Sequence, residues 1–270
     1  MGRPLEPDPV RTGGGTSAPM ISSSSPSIKI SKARVAYRDK LLFDGLDMEI
    51  EGGLWTCILG PSGVGKSTLL RLILGLQSET ADDRSISCSD GLPVDGRAAL
   101  MAQQDLLMPW LGVMENVLIG ARLRGHANSE PDLVRQTEQL LQELGMGDRL
   151  DDRPATLSGG MRQRTALART LMERRPIVLM DEPFSALDAI TRIRLQDLAA
   201  RLLNRQTVLL VTHDPLEALR LGHRIHVMSG EPATVGEAMV PPGTPPRSVS
   251  DPGLLEMQGD LLQKLAEAAA

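Results

Sequence analysis

Two segments near the start of the chain carry apolar side chains at about every second position, which is the pattern of half-buried β-strands. They cover residues 28–37 and 46–51. Three shorter and mainly apolar runs predict buried strands, at residues 56–59, 177–180 and 208–211. Helical spacing follows two of these runs, over residues 66–76 and 190–203. This alternation of strands and helices predicts an α/β fold with a parallel sheet.

The composition along the chain predicts a main domain with flanking segments. Residues 1–27 are rich in Pro, Gly and Ser and hold too little apolar surface to offset the entropy of ordering, so we expect a disordered tail. Residues 28–235 form the main domain, and the part from about 104 to 164 is expected to be an inserted, entirely helical subdomain. Residues 236–270 read as a short proline-rich extension with a terminal helix.

Charge and composition exclude several classes of function. The net charge of −5 disfavours general binding of DNA or RNA, so no nucleic-acid partner is expected. The two cysteines, Cys57 and Cys88, lack the spacing of a zinc site or a disulfide framework. The first residues do not resemble a secretory signal, and no run is apolar enough to span a bilayer. Any work at a membrane would therefore depend on another protein.

A segment between a predicted strand and a predicted helix matches the phosphate-binding loop, in which two glycines flank four residues before Lys and a hydroxyl residue. The glycines let backbone amides point at a phosphate, and the helix presents its positive end. Lys66 would supply a charge to the phosphate oxygens, and Ser67 can hold magnesium. A glycine-rich turn without function is the alternative, which the flanking elements disfavour. The segment consists of Gly60, Pro61, Ser62, Gly63, Val64, Gly65, Lys66, Ser67 and Thr68.

Two adjacent carboxylates end the apolar strand predicted at residues 177–180. Asp181 is expected in the magnesium shell, and Glu182 is expected to act as the general base that polarises water for attack on the γ-phosphate. Alone, the pair could be a helix cap. Together with Lys66 and Ser67 it predicts a nucleotide hydrolase that uses magnesium.

A second glycine-rich turn opens a later helix, in the sequence LSGGMRQR at residues 157–164. A helix cap explains Ser158 but not Gly159 and Gly160. One nucleotide bound at Lys66 does not need a second phosphate-binding site within the same copy. We therefore interpret this turn as an anion site that serves another subunit.

Taken together, these motifs resemble the ATP-binding cassette (ABC) ATPases, the nucleotide-binding subunits of ABC transporters, over about residues 28–230. The resemblance implies a P-loop NTPase fold with a RecA-like parallel-sheet core, an antiparallel β subdomain and an inserted α-helical subdomain. It implies that residues 60–68 are the Walker A loop, residues 177–182 the Walker B strand and residues 157–160 the signature motif. It also implies that Asp188 belongs to the D-loop and that His213 contacts the γ-phosphate.

Four assignments keep an alternative. A histidine after a strand is usually structural, but His213 stands where the family places its switch histidine. Gln103 or Gln104 is the Q-loop glutamine that bridges magnesium to the helical subdomain, and the spacing to the following Pro and Trp favours Gln103. Tyr37, the only tyrosine, is expected to stack on adenine, and core packing is its alternative. The apolar segment 106–111 could be subdomain core or a surface that receives a membrane subunit.

The resemblance implies an ATPase that uses ATP and Mg²⁺ and works as a head-to-tail pair of copies at the cytoplasmic face of the inner membrane. Its partners would be membrane permease subunits and, indirectly, a periplasmic substrate-binding protein. The stretch QQDLLMPWLGVMENV resembles the importer branch for nitrate, sulfonate, taurine and pyrimidine precursors, including hydroxymethylpyrimidine. A cassette for an exporter or for a soluble complex, such as iron-sulfur cluster assembly, is the alternative that the motifs permit.

Overall fold

The computed structural model describes residues 25–37, 40–76, 85–125 and 131–268, and these form nine strands and seven α-helices. Within these ranges no helix has the length and apolarity needed to cross a membrane. The strands are β1 (Ile28–Tyr37), β2 (Lys40–Ile50), β3 (Trp55–Leu59), β4 (Ile86–Cys88), β5 (Ala98–Met101), β6 (Ile177–Asp181), β7 (Thr207–Val211), β8 (Arg224–Ser229) and β9 (Thr234–Val235). The helices are α1 (Lys66–Ile73), α2 (Val113–Leu123), α3 (Pro131–Glu143), α4 (Gly159–Met172), α5 (Ala189–Leu202), α6 (Pro215–Leu221) and α7 (Pro252–Ala268).

A six-stranded sheet in the order β5-β6-β7-β3-β8-β9 forms the centre of the molecule. Its first five strands are parallel, and β9 pairs antiparallel with β8 at one edge. Strands β3, β6 and β7 are buried along their whole length, as expected where both faces of a parallel sheet are covered. Their side chains alternate between two apolar cores; Ile58 faces one core, and Cys57 and Leu59 face the other. The predicted α/β fold is confirmed.

A smaller antiparallel sheet, in the order β2-β1-β4, packs over α1 and one face of the central sheet. Phe43 of β2 is fully buried there, beside the glycine that ends the phosphate-binding loop. The three parts of the cassette fold are therefore present: a parallel core, an antiparallel β subdomain and a helical region.

The expectation that residues 104–164 are entirely helical is wrong in detail. Residues 102–112 form a loop, and residues 144–158 are irregular except for a 3-10 turn at Pro154–Thr156. The buried side chain of Asn116 replaces helical bonds in the first loop. Its amide oxygen accepts from Met108 N at 2.7 Å, and its Nδ2 donates to the carbonyls of Met108 and Gly112 at 3.2 and 3.1 Å.

Both terminal segments make contacts with the main domain where they are described. Residues 1–24 lie outside the described residues, but residues 25–27 are placed, and the carbonyl of buried Pro26 accepts a hydrogen bond from Thr207 Oγ1 at 2.6 Å. Residues 25–27, which were expected to be disordered, are therefore held against β7. In the extension, Leu254 and Leu261 of α7 belong to the main core. The terminal helix expected in residues 236–270 is therefore present as α7 and packs on the main domain.

Candidate active site

The loop between β3 and α1 has a backbone that only glycine can supply at two positions. Gly60 has φ +156°, and a Cβ there would collide with the Met228 carbonyl oxygen. Gly65 has φ +115°, and a Cβ there would lie 3.1 Å from the Phe43 ring. The loop is therefore pressed between β8 and the antiparallel sheet, which holds its amides at the start of α1.

Lys66 is buried at the first position of α1. Its ammonium donates to the carbonyls of Gly60 and Pro61 at 2.8 and 2.9 Å. Burial lowers the pKa of this amine, and the carboxylates of Glu182 and Asp181 act in the opposite direction. The cation is therefore held inside the phosphate-binding loop with two carboxylates nearby.

Asp181 ends β6 and is buried, and Ser67 lines the same cleft. Burial raises the pKa of this carboxyl, while the Ser67 hydroxyl opposes the shift. Ser67, Asp181 and Gln103 line one cleft of about 240 Å³. Their oxygen atoms fit Mg²⁺, which proteins usually bind with one or two carboxylates and the phosphates of the substrate. In keeping with such a sparse site, the described residues contain no cluster of three or more His, Cys, Asp or Glu suited to a metal.

Two residues predicted for the site, His213 and Gln103, contact the carboxylate of a third, Glu182. His213 Nδ1, just after β7, lies 3.2 Å from Glu182 Oε1, and Gln103 Nε2, just after β5, donates to Glu182 Oε2 at 3.4 Å. Glu182 has φ +50°, a backbone conformation that costs a non-glycine residue about 1–3 kcal/mol. Its amide donates to the Val211 carbonyl at 2.8 Å, which helps to hold this conformation. The carboxylate therefore has a fixed direction at the carboxyl edge of the parallel sheet, where open α/β sheets bind ligands.

The residues predicted for the signature motif and the D-loop do not line the cleft of Ser67 within one copy. Ser158 is the N-cap of α4 and accepts from Met161 N at 3.2 Å. Asp188 caps α5, and hydrogen bonds from Thr191 lower the pKa of its carboxyl. Among the described residues that line the cleft of Ser67, none belongs to the turn 158–160. Gly159 lines a separate cleft of about 410 Å³ that also borders Gln103, and Gly160 approaches residues 186 and 187.

The remaining predicted residues are placed as follows. Within the loop, Ser62 and Gly63 are exposed, and Pro61, Val64 and Thr68 are half-buried. Tyr37 is the last residue of β1, and its side chain lies outside the described part of the structure, so its contact with adenine stays a prediction.

Two polar groups that the sequence analysis missed are buried behind the site. Gln163 of α4 bonds the backbone just after β6, and Glu217 of α6 accepts from Gln196 Nε2 of α5 at 3.0 Å. A signal for Gln163 was its helical spacing from the apolar residues 166, 167 and 171, which places a polar side chain on the buried face of α4. Glu217 had a comparable signal, since the apolar residue Leu221 lies four positions later on the same face of α6.

Burial raises the pKa of Glu217 to about 7, with Asp214 adding to the shift and with Thr212, Gln196 and Arg192 opposing it. Stability from this carboxyl is therefore greatest below pH 4.5 and is lost as pH rises towards 7. As pH rises from 4.5 to 8, the free energy of unfolding of Glu217→Gln is expected to increase by about 3 kcal/mol relative to that of the unchanged protein. Urea unfolding of both proteins across this range measures the difference. Parallel stability curves would contradict the prediction, and the exposed Glu256→Gln variant serves as the control.

Comparison with known proteins identifies the family. The ABC transporter family profile matches residues 43–185. A Haemophilus influenzae protein named uncharacterized ABC transporter ATP-binding protein is 39% identical over 88% of this chain and 98% of its own length. An aliphatic sulfonates import ATP-binding protein of Nocardia farcinica is 39% identical over 91% of this chain and 94% of its own. The dimeric structure of a bacterial ABC transporter cassette matches with a TM-score of 0.70 at 27% identity, covering 80% of this chain and all of that one. The chain therefore belongs to the ABC transporter family and is one of its ATP-hydrolysing cassettes.

Proposed function

We propose that this chain drives an importer by hydrolysing ATP, and that its cargo is a small molecule of the nitrate, sulfonate, taurine and pyrimidine-precursor class, with an aliphatic sulfonate as the first candidate. The proposal of ATP hydrolysis rests on the Glu182 carboxylate, which lies between Gln103 and His213 and next to Asp181. The cargo rests on relatives named aliphatic sulfonates import ATP-binding proteins, such as those of Nocardia farcinica and Rhodococcus jostii at 39% and 40% identity.

In this proposal Glu182 accepts a proton from the water that attacks the γ-phosphorus of ATP, and ADP leaves as the P–O bond breaks. A positioned base of this kind contributes about 10²–10⁴ in rate. Lys66 stabilises charge on the phosphate oxygens, and His213 and Gln103 orient the base. Mg²⁺, held by the oxygens of Ser67, Asp181 and Gln103, would supply charge neutralisation on the phosphates.

The working unit is proposed to be a head-to-tail pair with two ATP molecules between the copies. Within one copy the turn 158–160 does not line the cleft of Ser67 and Asp181, which leaves it free to serve the other copy. The start of the 14-residue helix α4 offers its backbone amides and the Ser158 hydroxyl to an anion. The dimeric cassette structures with matching folds support this arrangement.

A membrane permease is proposed to bind the loop 102–112, which places the protein at the cytoplasmic face of the inner membrane. Leu106 and Trp110 are 54% and 66% exposed, whereas Leu107 is buried, so the segment contributes to both core and surface. Arg169 donates to the carbonyls of Asp105 and Leu106 at 2.6 and 2.8 Å, which fixes this loop on α4. Movement of a docked partner would therefore be transmitted through this loop to Gln103. A periplasmic substrate-binding protein would act indirectly, through the permease.

Uptake of a labelled aliphatic sulfonate by cells of the source organism tests the proposal. Cells lacking this chain should lose uptake, and the unchanged chain should restore it. Leu106→Ser with Trp110→Ser should fail to restore uptake or membrane association, although the purified protein still hydrolyses ATP. Leu255→Ser, at an equally exposed leucine of α7, is the matched control and should restore uptake.

The outcomes separate the parts of the proposal. Full sulfonate uptake without this chain would contradict the cargo. Membrane association that survives the change of Leu106 and Trp110 would contradict the docking surface. The unchanged protein can also be purified from cells together with its bound partners. If only soluble proteins are recovered with it, the transport role is contradicted and an assembly complex is favoured.

A further inference from the structure

We propose that Gln163 is a positioning residue for Glu182, and that it links the signature turn of each copy to the hydrolytic carboxylate of that same copy. The inference rests on the proposed head-to-tail pair and on the role of Glu182 as the base. It adds a route by which contact with one nucleotide influences hydrolysis of the other.

Gln163 uses both ends of its amide on one short backbone segment. Its Nε2 donates to the Glu182 carbonyl at 3.1 Å and to Ser185 Oγ at 3.3 Å, and its Oε1 accepts from Ala186 N at 2.8 Å. The side chain is only 8% exposed, so water cannot replace these bonds freely. The amide therefore ties the first turns of α4 to the segment that begins at the catalytic carboxylate.

These hydrogen bonds stabilise an unfavourable backbone conformation, because Glu182 is left-handed, with φ +50°. Its carbonyl accepts from Gln163 and from the Ser185 hydroxyl, the latter at 3.0 Å. Without the Gln163 donor, the peptide after Glu182 loses one of the bonds that set its direction. The carboxylate would then sample positions away from its contacts with Gln103 and His213.

A second contact joins the signature turn to the same segment. A Cβ on Gly160 would lie 3.3 Å from the Ala186 carbonyl oxygen and 3.5 Å from a Leu187 methyl group, so the start of α4 and this segment are in close contact. Ser158, Gly160 and Gln163 all lie within the cap and first turns of one helix. A shift of the turn on a nucleotide held by the partner copy would thus be passed to Glu182.

The test compares Gln163→Met with Gln196→Met. Both replace a buried glutamine by a side chain of similar size, but Gln196 of α5 bonds Glu217 and Arg220 of α6 rather than the Glu182 segment. Gln163→Met is expected to lower kcat for ATP about 10- to 100-fold, with KM and ATP-driven dimerisation within about twofold of the unchanged protein. Its Hill coefficient for ATP should fall towards one, from a value above one in the unchanged protein. Gln196→Met should lose thermal stability and keep both kinetic properties.

A kcat of Gln163→Met within twofold of the unchanged protein would overturn the positioning role. A Hill coefficient of one in the unchanged protein, or an unaltered coefficient in Gln163→Met, would overturn the link between sites. If the Met variant does not fold, Gln163→Glu decides, because it keeps an acceptor for Ala186 N and removes the donor to the Glu182 carbonyl. It should show the same loss of kcat. Since these readouts use ATP alone, a failed uptake experiment leaves them unaffected.

Discussion

Glu182→Gln is expected to lower kcat for ATP about 10²–10⁴-fold while ATP affinity stays within about twofold. The amide cannot accept a proton from water, but it has the shape of the carboxylate and can still pair with Gln103 and His213. Since Lys66 and the loop amides remain in place, binding should persist and ATP-bound pairs should accumulate. Phosphate release in steady state gives kcat, and titration with ATP gives the affinity.

The control for this prediction is Glu256→Gln, which makes the same change at an exposed position of α7. It should hydrolyse ATP at the unchanged rate. Normal turnover by Glu182→Gln would contradict the role of Glu182 as the base, and a large loss of ATP affinity would show that the carboxylate acts in binding instead.

The parts of the site that could be predicted are those whose chemistry is contiguous in the chain. The phosphate-binding loop carries its glycines, Lys66 and Ser67 within residues 60–68, and the carboxylates 181 and 182 directly follow a buried strand. The five-residue strands β3, β6 and β7 were predicted to within one residue at each end because mainly apolar runs mark a sheet covered on both faces.

Short elements and long-range contacts were not predicted. Strands β4 and β9 have three and two residues, too few for a periodic pattern, and they are defined by their pairing with β1 and β8. The terminal helix of the extension was predicted, but its anchoring was not, since Arg247 holds the extension through hydrogen bonds to the carbonyls of Leu219 and Gly222 at 2.8 Å. Such bonds join positions more than twenty residues apart and leave no local pattern.

The bond between Gln163 and Glu182 shows the same limit within the site. Both residues lie in predicted elements, but only the packing of α4 against the end of β6 brings them together. The sequence could indicate that Gln163 lies on a buried helix face, and it could not identify its partner.

Lys66→Ala and Ser158→Arg are each expected to abolish nearly all ATPase activity, for different reasons. Lys66→Ala removes the buried ammonium from the loop and should weaken ATP binding about 10- to 100-fold, the range of a lost hydrogen bond to a charged group. Ser158→Arg places a long side chain on the exposed start of α4, where the nucleotide of the other copy would lie, and should leave binding of ATP to its own loop intact. ATP titration and phosphate release distinguish the two variants.

Mixing these two inactive variants tests most directly whether the site is shared between copies. In a mixed pair, the intact loop of the Ser158→Arg copy faces the intact signature turn of the Lys66→Ala copy, so one complete site forms. Random pairing should restore at most about a quarter of the unchanged activity, because half of the pairs are mixed, each has one site of two, and coupling to the inactive site can lower the rate further. A mixture of Lys66→Ala with the double variant, which carries both changes, should stay inactive. A mixture of the two single variants that hydrolyses no more ATP than its separate components would contradict the shared site and place the whole reaction within one copy.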